Sequence, residues 1–389
     1  MPGKKLIILI LSFALFSCGV SKRKKAEVLI AKFQEEHVID KRETVFNVEA
    51  NFYKGKVALK GNMDDPDLKD KLLESMQSLR VKDEIVLLPD STVGENNFGL
   101  INLSVANLRS KPEHSAEMVT QALLGTPVKI LQKDGGWYLV QTPDHYISWI
   151  DEDGVVPVSE SRLEKWKASD RVIYTGQYDL VYKTDRFDEP ISDITMGNIL
   201  NETEQNYKAI QVEFPDGRSG YVPKKDWTDF SDFKNSVRPD TLNMVELAKQ
   251  LTGKPYLWGG TSALAMDCSG FMKMLYFMNG IILARDASLQ TKYGELIPLD
   301  PDYEKLRTGD LLFFGRKEEA GQQERVTHVA FSLGKTEYIH ASGRIRQNSL
   351  DPYSKIYSEY RKNSLVRVRR IIGATDDYGI QTLKNHPWY

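Results

Sequence analysis

Cysteine is nearly absent from this chain: 389 residues include only two, Cys18 and Cys268. At most one disulfide is possible. No C-x-x-C or H-E-x-x-H pair occurs, so the tight ligand spacing of a zinc site is missing. Charge of one sign is also lacking. A net charge of −2 creates no field for general nucleic-acid binding. No apolar run is long enough to span a bilayer comfortably, and Leu6 to Phe16 is the nearest approach. What remains is ordinary for a globular chain of two to four domains: 41% hydrophobic, with 27 Gly, 16 Pro and 18 Tyr, a composition that suits many turns and strands.

The N-terminus reads as a targeting segment. Lys4-Lys5 precede the short apolar run, and Ser17-Cys18-Gly19 supply small residues for cleavage. Leu15-Phe16-Ser17-Cys18 resembles a bacterial lipobox, with Phe16 bulkier than the usual residue. The resemblance implies residues 1–17 as a signal peptide and Cys18 as the lipidated first residue of the mature chain. That chain would be tethered to a membrane, with Ser21-Lys22-Arg23-Lys24-Lys25 near the headgroups. The expected location is the bacterial cell envelope, facing the periplasm. Cys268 would then have no disulfide partner, which is unusual for an exported protein.

Residues 18–95 hold this tether and a small domain. Ala26 to His37 has helical spacing, Thr44 to Tyr53 and Lys56 to Lys60 alternate like strands, and Asp65-Pro66 start a helix running to about Leu79. Glu84 to Leu88 is a third strand, and the β-β-α-β order resembles a BON-like domain. Residues 100–157 contain short strands at regular spacing, as a small barrel requires. Asn107-Leu108-Arg109-Ser110, Gly136-Trp137-Tyr138 and Ser148-Trp149 resemble a bacterial SH3 domain, with Ser148 where glycine is usual. Residues 165–232 repeat the plan more loosely in five strands, the first from Ala168 to Tyr174, with Asp216-Gly217 as a hairpin turn. Residues 238–375 place two helices, Thr241 to Leu251 and Cys268 to Asn279, before the strands Leu311 to Phe314, Thr327 to Leu333, Tyr338 to His340 and Leu365 to Ile372. That order is an α+β plan. Residues 376–389 are a tail.

Cys268 opens the second of those helices. A helix N-terminus carries partial positive charge and favours a thiolate, and a nearby imidazolium favours it further. His328 is the candidate base, and His340, twelve residues on across Gly334, the group that orients it. Either histidine alone reads as well as a surface or core imidazole. Two histidines and a cysteine can also hold zinc, but the missing ligand pairs argue against a metal. No cofactor is expected. Asp310, in Arg307-Thr308-Gly309-Asp310, reads as a turn residue, and Arg285-Asp286 as an internal ion pair.

Residues 238–375 resemble an NlpC/P60 cysteine peptidase, a papain-like fold. The resemblance rests on five motifs in family order. They are Pro255-Tyr256-Leu257-Trp258-Gly259-Gly260 with Asp267-Cys268-Ser269-Gly270-Phe271, Arg285 to Gln290, Leu306 to Phe314, Thr327-His328-Val329-Ala330, and Tyr338-Ile339-His340-Ala341-Ser342. It implies Cys268 as nucleophile, His328 as base and His340 as third member, with the Cys268 backbone N–H in the oxyanion hole.

With the upstream barrels, the chain is similar to γ-D-glutamyl-L-diamino acid endopeptidases, which release L-Ala-D-Glu from wall peptides with a free N-terminal L-alanine. That likeness implies Glu117 and Tyr146 of the first barrel, with Asp267 opposite, as partners of the amine. It also implies Tyr256, Trp258, Ser269 and Ser288 along the dipeptide. On residue type alone, Tyr256 and Trp258 serve equally as core aromatics, and Glu117 as a solvated strand residue. A general hydrolase of intact wall and a non-enzymatic wall-binding protein are the rival readings.

Overall fold

The computed structural model describes residues 22–38, 40–53, 56–319, 321–374 and 377–389. The leader over 1–17, the lipidation candidate Cys18 and Ser21 lie outside these residues. No described helix is long and apolar enough to cross a membrane. Contacts divide the chain into two compact units, residues 1–94 with 131–133 and residues 95–130 with 134–389.

The first unit has a helix over residues 22–37 and the expected β-β-α-β order. Phe46–Tyr53 pairs antiparallel with Lys56–Met63, which pairs parallel with Lys82–Leu87. The Asp65 side chain accepts from the Leu68 N–H at 2.9 Å, and Pro66 fills the first position of the helix Pro66–Ser75. Its core is Ala26, Phe33, Leu59, Met63 and Leu72.

In the second unit, seven strands from Phe98 to Val158 form the first barrel. Met118–Leu123 is the last strand of that sheet and leaves one edge open. The second barrel also has seven strands, between Arg171 and Asp229, where five were expected. The two unexpected strands, Pro190–Thr195 and Trp227–Asp229, are the edges of the sheet. One begins with proline and the other is three residues long, so neither carries a clear alternating pattern. The expected first strand is also shorter: residues 160–168 are helical and pairing begins at Arg171.

The C-terminal region has the expected α+β order. Helices Thr241–Gln250 and Cys268–Phe277 precede a six-stranded antiparallel sheet. The central strands Leu311–Arg316 and Arg325–Gly334 are apolar on both faces over much of their length, because the sheet is covered on both sides. The helix Cys268–Phe277 is buried from Cys268 to Met272 and packs against the strand carrying His328.

Candidate active site

The helix Cys268–Phe277 starts where several polar groups converge. Asp267 is its N-cap and accepts from the Gly270 N–H at 2.7 Å. The same carboxylate accepts from the Gly259 N–H at 3.0 Å, the Ser269 hydroxyl at 3.1 Å, and Arg285 at 2.6 and 3.2 Å. Five donors from the chain therefore already fill the group expected to meet a substrate amine, and an amine would have to share it. Arg285 is fully buried and also donates to the Thr120 hydroxyl of the first barrel at 2.8 Å. Its expected partner Asp286 stands farther off, at 3.8 Å. Two needs meet at 267: the helix start favours a side-chain acceptor, and the buried guanidinium calls for a counter-charge.

Cys268 is 7% exposed. Burial and the Asp267 charge push its thiol up to about 11, against the Val329 backbone N–H and Arg285, which favour the thiolate. The helix start was expected to favour the thiolate on its own. Here the capping carboxylate offsets that end of the helix, and desolvation outweighs what remains. The Val329 N–H reaching the sulfur sets the thiol one residue from His328.

His328 and His340 lie on neighbouring antiparallel strands, Arg325–Gly334 and Glu337–Ser342, joined through Gly334. Their rings meet with His328 Nε2 2.7 Å from His340 Nδ1. His340 Nε2 is 3.0 Å from Asn348 Oδ1, and Asn348 Nδ2 donates to the Ile356 carbonyl at 2.9 Å. The tautomers are assigned from these partners. The Ile356 carbonyl can only accept, so the Asn348 amide turns its oxygen to His340. His340 then carries its proton on Nε2, and a neutral His340 accepts at Nδ1 from His328 Nε2–H. His328 Nδ1 is left with a lone pair. Burial, Arg361 and His340 hold His328 well below its ordinary value, and burial followed by Arg361 brings His340 to about 4. Both shifts point the same way, favouring the uncharged thiol and the uncharged imidazole.

The first barrel forms one wall. Trp258, 63% exposed, donates its indole N–H to Glu117 Oε1 at 2.7 Å. Thr261 donates through its N–H to the Gln121 side chain and through its hydroxyl to the Gln121 carbonyl, both at 3.0 Å. Gly259 has φ +78, and a Cβ there would sit 2.4 Å from the Met118 carbonyl, so only glycine lets this loop close on the barrel edge.

Tyr146 is buried in the same core as Cys268. Tyr256 is half-buried, and burial with the nearby Cys268 and Asp267 charges raises its hydroxyl pKa. Ser269 is buried, donating to Asp267 and accepting from Arg285. Ser288 is half-buried on the short helix Ala287–Gln290. His340 thus meets His328, Cys268 is reached by the N–H of the next residue Val329, and Tyr256 lies near Cys268; Glu117 and Trp258 pair at the rim, and Asp267 and Ser269 turn inward. Among the described residues no cluster of His, Cys, Asp and Glu could hold a metal ion. Sequence reading missed Asn348 and Arg361. Asn348 lies in the alternating run Arg344–Ser349 and Arg361 on a short charged helix, with no motif around either.

A model described as the NlpC/P60 family matches residues 253–370, and one described as the bacterial dipeptidyl-peptidase Sh3 domain matches 108–155. Dipeptidyl-peptidase 6 of Lysinibacillus sphaericus is 29% identical over 267 residues, which is 66% of this chain and 92% of that protein. A γ-D-glutamyl-L-lysine dipeptidyl-peptidase of Bacillus cereus is 26% identical, covering 61% and 71%. The murein DD-endopeptidase MepS/murein LD-carboxypeptidase of Escherichia coli K12 is 33% identical, covering 34% and 68%. A crystal structure of an NlpC/P60 family protein from Bacillus cereus shares the fold, with a TM-score of 0.59 and 22% identity, over 71% of this chain and 99% of that one. The stretch from the helix Cys268–Phe277 through the histidine strands and the barrel ahead of it are therefore those of a known group, and the chain belongs to the NlpC/P60 family of peptidases.

Proposed function

We propose that the protein is a cysteine peptidase that cuts the γ-D-Glu–diamino acid bond of wall peptides with a free N-terminal L-alanine, releasing L-Ala-D-Glu. The observation that carries the reading is the polarised line Asn348–His340–His328, which leaves His328 Nδ1 with its lone pair, one residue from the Val329 N–H that reaches the buried Cys268 thiol. Because both shifts favour the uncharged thiol and imidazole, the proton moves as the bond forms. The thiol proton passes to His328 Nδ1 while sulfur bonds the γ-carbonyl carbon, whose π pair moves onto oxygen. The intermediate collapses, the diamino-acid nitrogen leaves with the proton from His328, and L-Ala-D-Glu remains as a thioester. Water gives a proton to His328 and attacks the thioester carbon; the C–S bond then breaks, sulfur takes the proton back from His328, and L-Ala-D-Glu leaves.

The relatives named dipeptidyl-peptidases support the substrate, and so does the carboxylate of Glu117 at the barrel rim, available to an ammonium group. We also propose that lipid on Cys18 tethers the chain to the envelope membrane. Labelled palmitate should enter the wild type but not Cys18→Ala, and equal labelling would remove the anchor.

The test of the activity uses L-Ala-γ-D-Glu-diaminopimelate, its N-acetyl form and whole sacculi. Rapid cleavage of the free tripeptide alone is expected. Cys268→Ala should lose roughly a thousandfold or more. Release from sacculi would favour a general wall hydrolase. Turnover by pure Cys268→Ala would remove the nucleophile.

A further inference from the structure

Arg361 is a half-buried cation beside the catalytic cluster with no acidic partner among the described residues. It lies on the helix Glu359–Ser364. Its guanidinium carbon is 5.5 Å from the Phe314 ring centre and 5.2 Å from that of Tyr360. Phe314 is the cross-strand neighbour of His328, and their ring centres are 5.8 Å apart. The other partly buried arginines of this region have polar partners: Arg285 pairs with Asp267, Arg367 with Glu324 and Arg370 with Asp310, and Arg369 donates to the Thr291 and Gly294 carbonyls. Arg361 has only aromatic faces, and among the described residues its guanidinium makes no side-chain ion pair. Burial lowers its pKa and Arg346 adds repulsion, while Tyr338, Tyr360 and Cys268 act the other way. A partly desolvated cation held on two rings and lacking a counter-charge is an open anion site.

The reaction says which part of the substrate lies there. His328 must hand its proton to the leaving nitrogen, so the leaving group sits on the His328 side of the thiol. The amine end of the substrate points the other way, to the barrel rim at Glu117. Arg361 adjoins His328 through Phe314, and its charge also reaches Cys268 and Tyr256.

We propose that Arg361 binds a carboxylate of the leaving diamino acid. This rests on the cleavage reaction proposed above. Two carboxylates share that chemistry: the α-carboxylate, and the second one that diaminopimelate carries at the far end of its side chain and lysine does not. A lysine side chain would bring an ammonium to the same guanidinium and be disfavoured if the far end is what is read.

The experiment compares kcat/KM for wild type, Arg361→Gln and Arg361→Lys on L-Ala-γ-D-Glu followed by diaminopimelate, by L-lysine, and by L-lysine amide. Wild type should prefer at least one acid peptide to the amide, a preference that needs no variant to be read. Arg361→Gln should shrink that preference at least about tenfold, and Arg361→Lys should restore part of it. A collapse of the diaminopimelate-to-lysine ratio alone assigns the far carboxylate, and a collapse of the lysine-to-amide ratio assigns the α-carboxylate. Equal proportional losses on all three peptides, or a wild type indifferent to the amide, would overturn the assignment to Arg361 while leaving the peptidase reading intact. Cleavage of none of the three by wild type would overturn both.

Discussion

The two barrels share a strand plan but meet the peptidase region differently. The first presents its open edge, Met118–Leu123, to the loop that precedes Cys268. Thr120 takes a bond from Arg285, Gln121 takes two from Thr261, and Glu117, just ahead of the strand, takes the Trp258 indole. Asp144 of the same barrel pairs with Lys273 on the helix Cys268–Phe277. The second barrel spends its polar contacts mainly on the first. Asn198 donates to the Ser104 carbonyl, the Ser104 hydroxyl donates to Asp193, and the Ile199 N–H donates to the Leu124 carbonyl. A small barrel offers two kinds of surface, an edge with free polar groups and a face to pack. One copy uses its edge to shape a site, and the other holds that copy in position.

The strongest way to break this comparison is to cut the first barrel from the helix start. Arg285→Met leaves the Asp267 carboxylate buried without its cation, a change that costs about 3–5 kcal/mol. Urea unfolding should show that loss together with loss of activity. A stability change under about 1 kcal/mol would mean that the tie to Thr120 and Asp267 is incidental.

Asp144→Asn is the next step. Burial would raise the Asp144 carboxyl, but the charge and hydrogen bond of Lys273, with Thr142, hold it below the ordinary carboxylate value. A depressed value means the pair's contribution is complete above the unfolded-state value, near about 3.9, and is lost as pH falls through the lower folded value. At neutral pH the variant should be less stable by about 1–3 kcal/mol, because Lys273 loses its partner. The gap between wild type and variant should close only in strongly acidic buffer. Melting curves from neutral to acid pH check this, and a gap that is constant with pH would contradict it.

Much of the site was legible because its chemistry is local. Cys268 opens a segment of helical spacing, and the twelve residues from His328 to His340 fit two strands around Gly334, whereas the role of Asp267 as the cap came only with the fold. The partners that set the electrostatics were not legible. Asn348 reaches His340 only through strand pairing, and Arg361 reaches the cluster from a six-residue helix across Phe314. The offset of the helix-start charge by Asp267 was hidden for a related reason: it depends on burial, which spacing does not report. The second barrel's edge strands were missed because edges need no alternating pattern.

Glu117→Gln sharpens the first barrel's role. Peptides with a free amine should lose about tenfold in kcat/KM, the value of one charge-assisted bond, while N-acetyl peptides keep their low rate. Equal losses on both would reduce Glu117 to a support for Trp258.

The smallest effect belongs to the second barrel. Gln177 donates to the Gln250 carbonyl at 3.1 Å, an exposed bond from this barrel to the helix Thr241–Gln250. Gln177→Ala removes that bond where water can replace it, so stability should change by no more than about 0.5 kcal/mol. If the second barrel acts only through the first, kcat/KM on free-amine and N-acetyl peptides should stay within about twofold of wild type, the same limit in energy. A uniform small loss would still fit a slackened support, because both substrates would meet the same loosened wall. A loss on one peptide and not the other would not fit, since discrimination requires a surface that touches substrate. That result would bring the second barrel to the cleft and end the division of labour between the two.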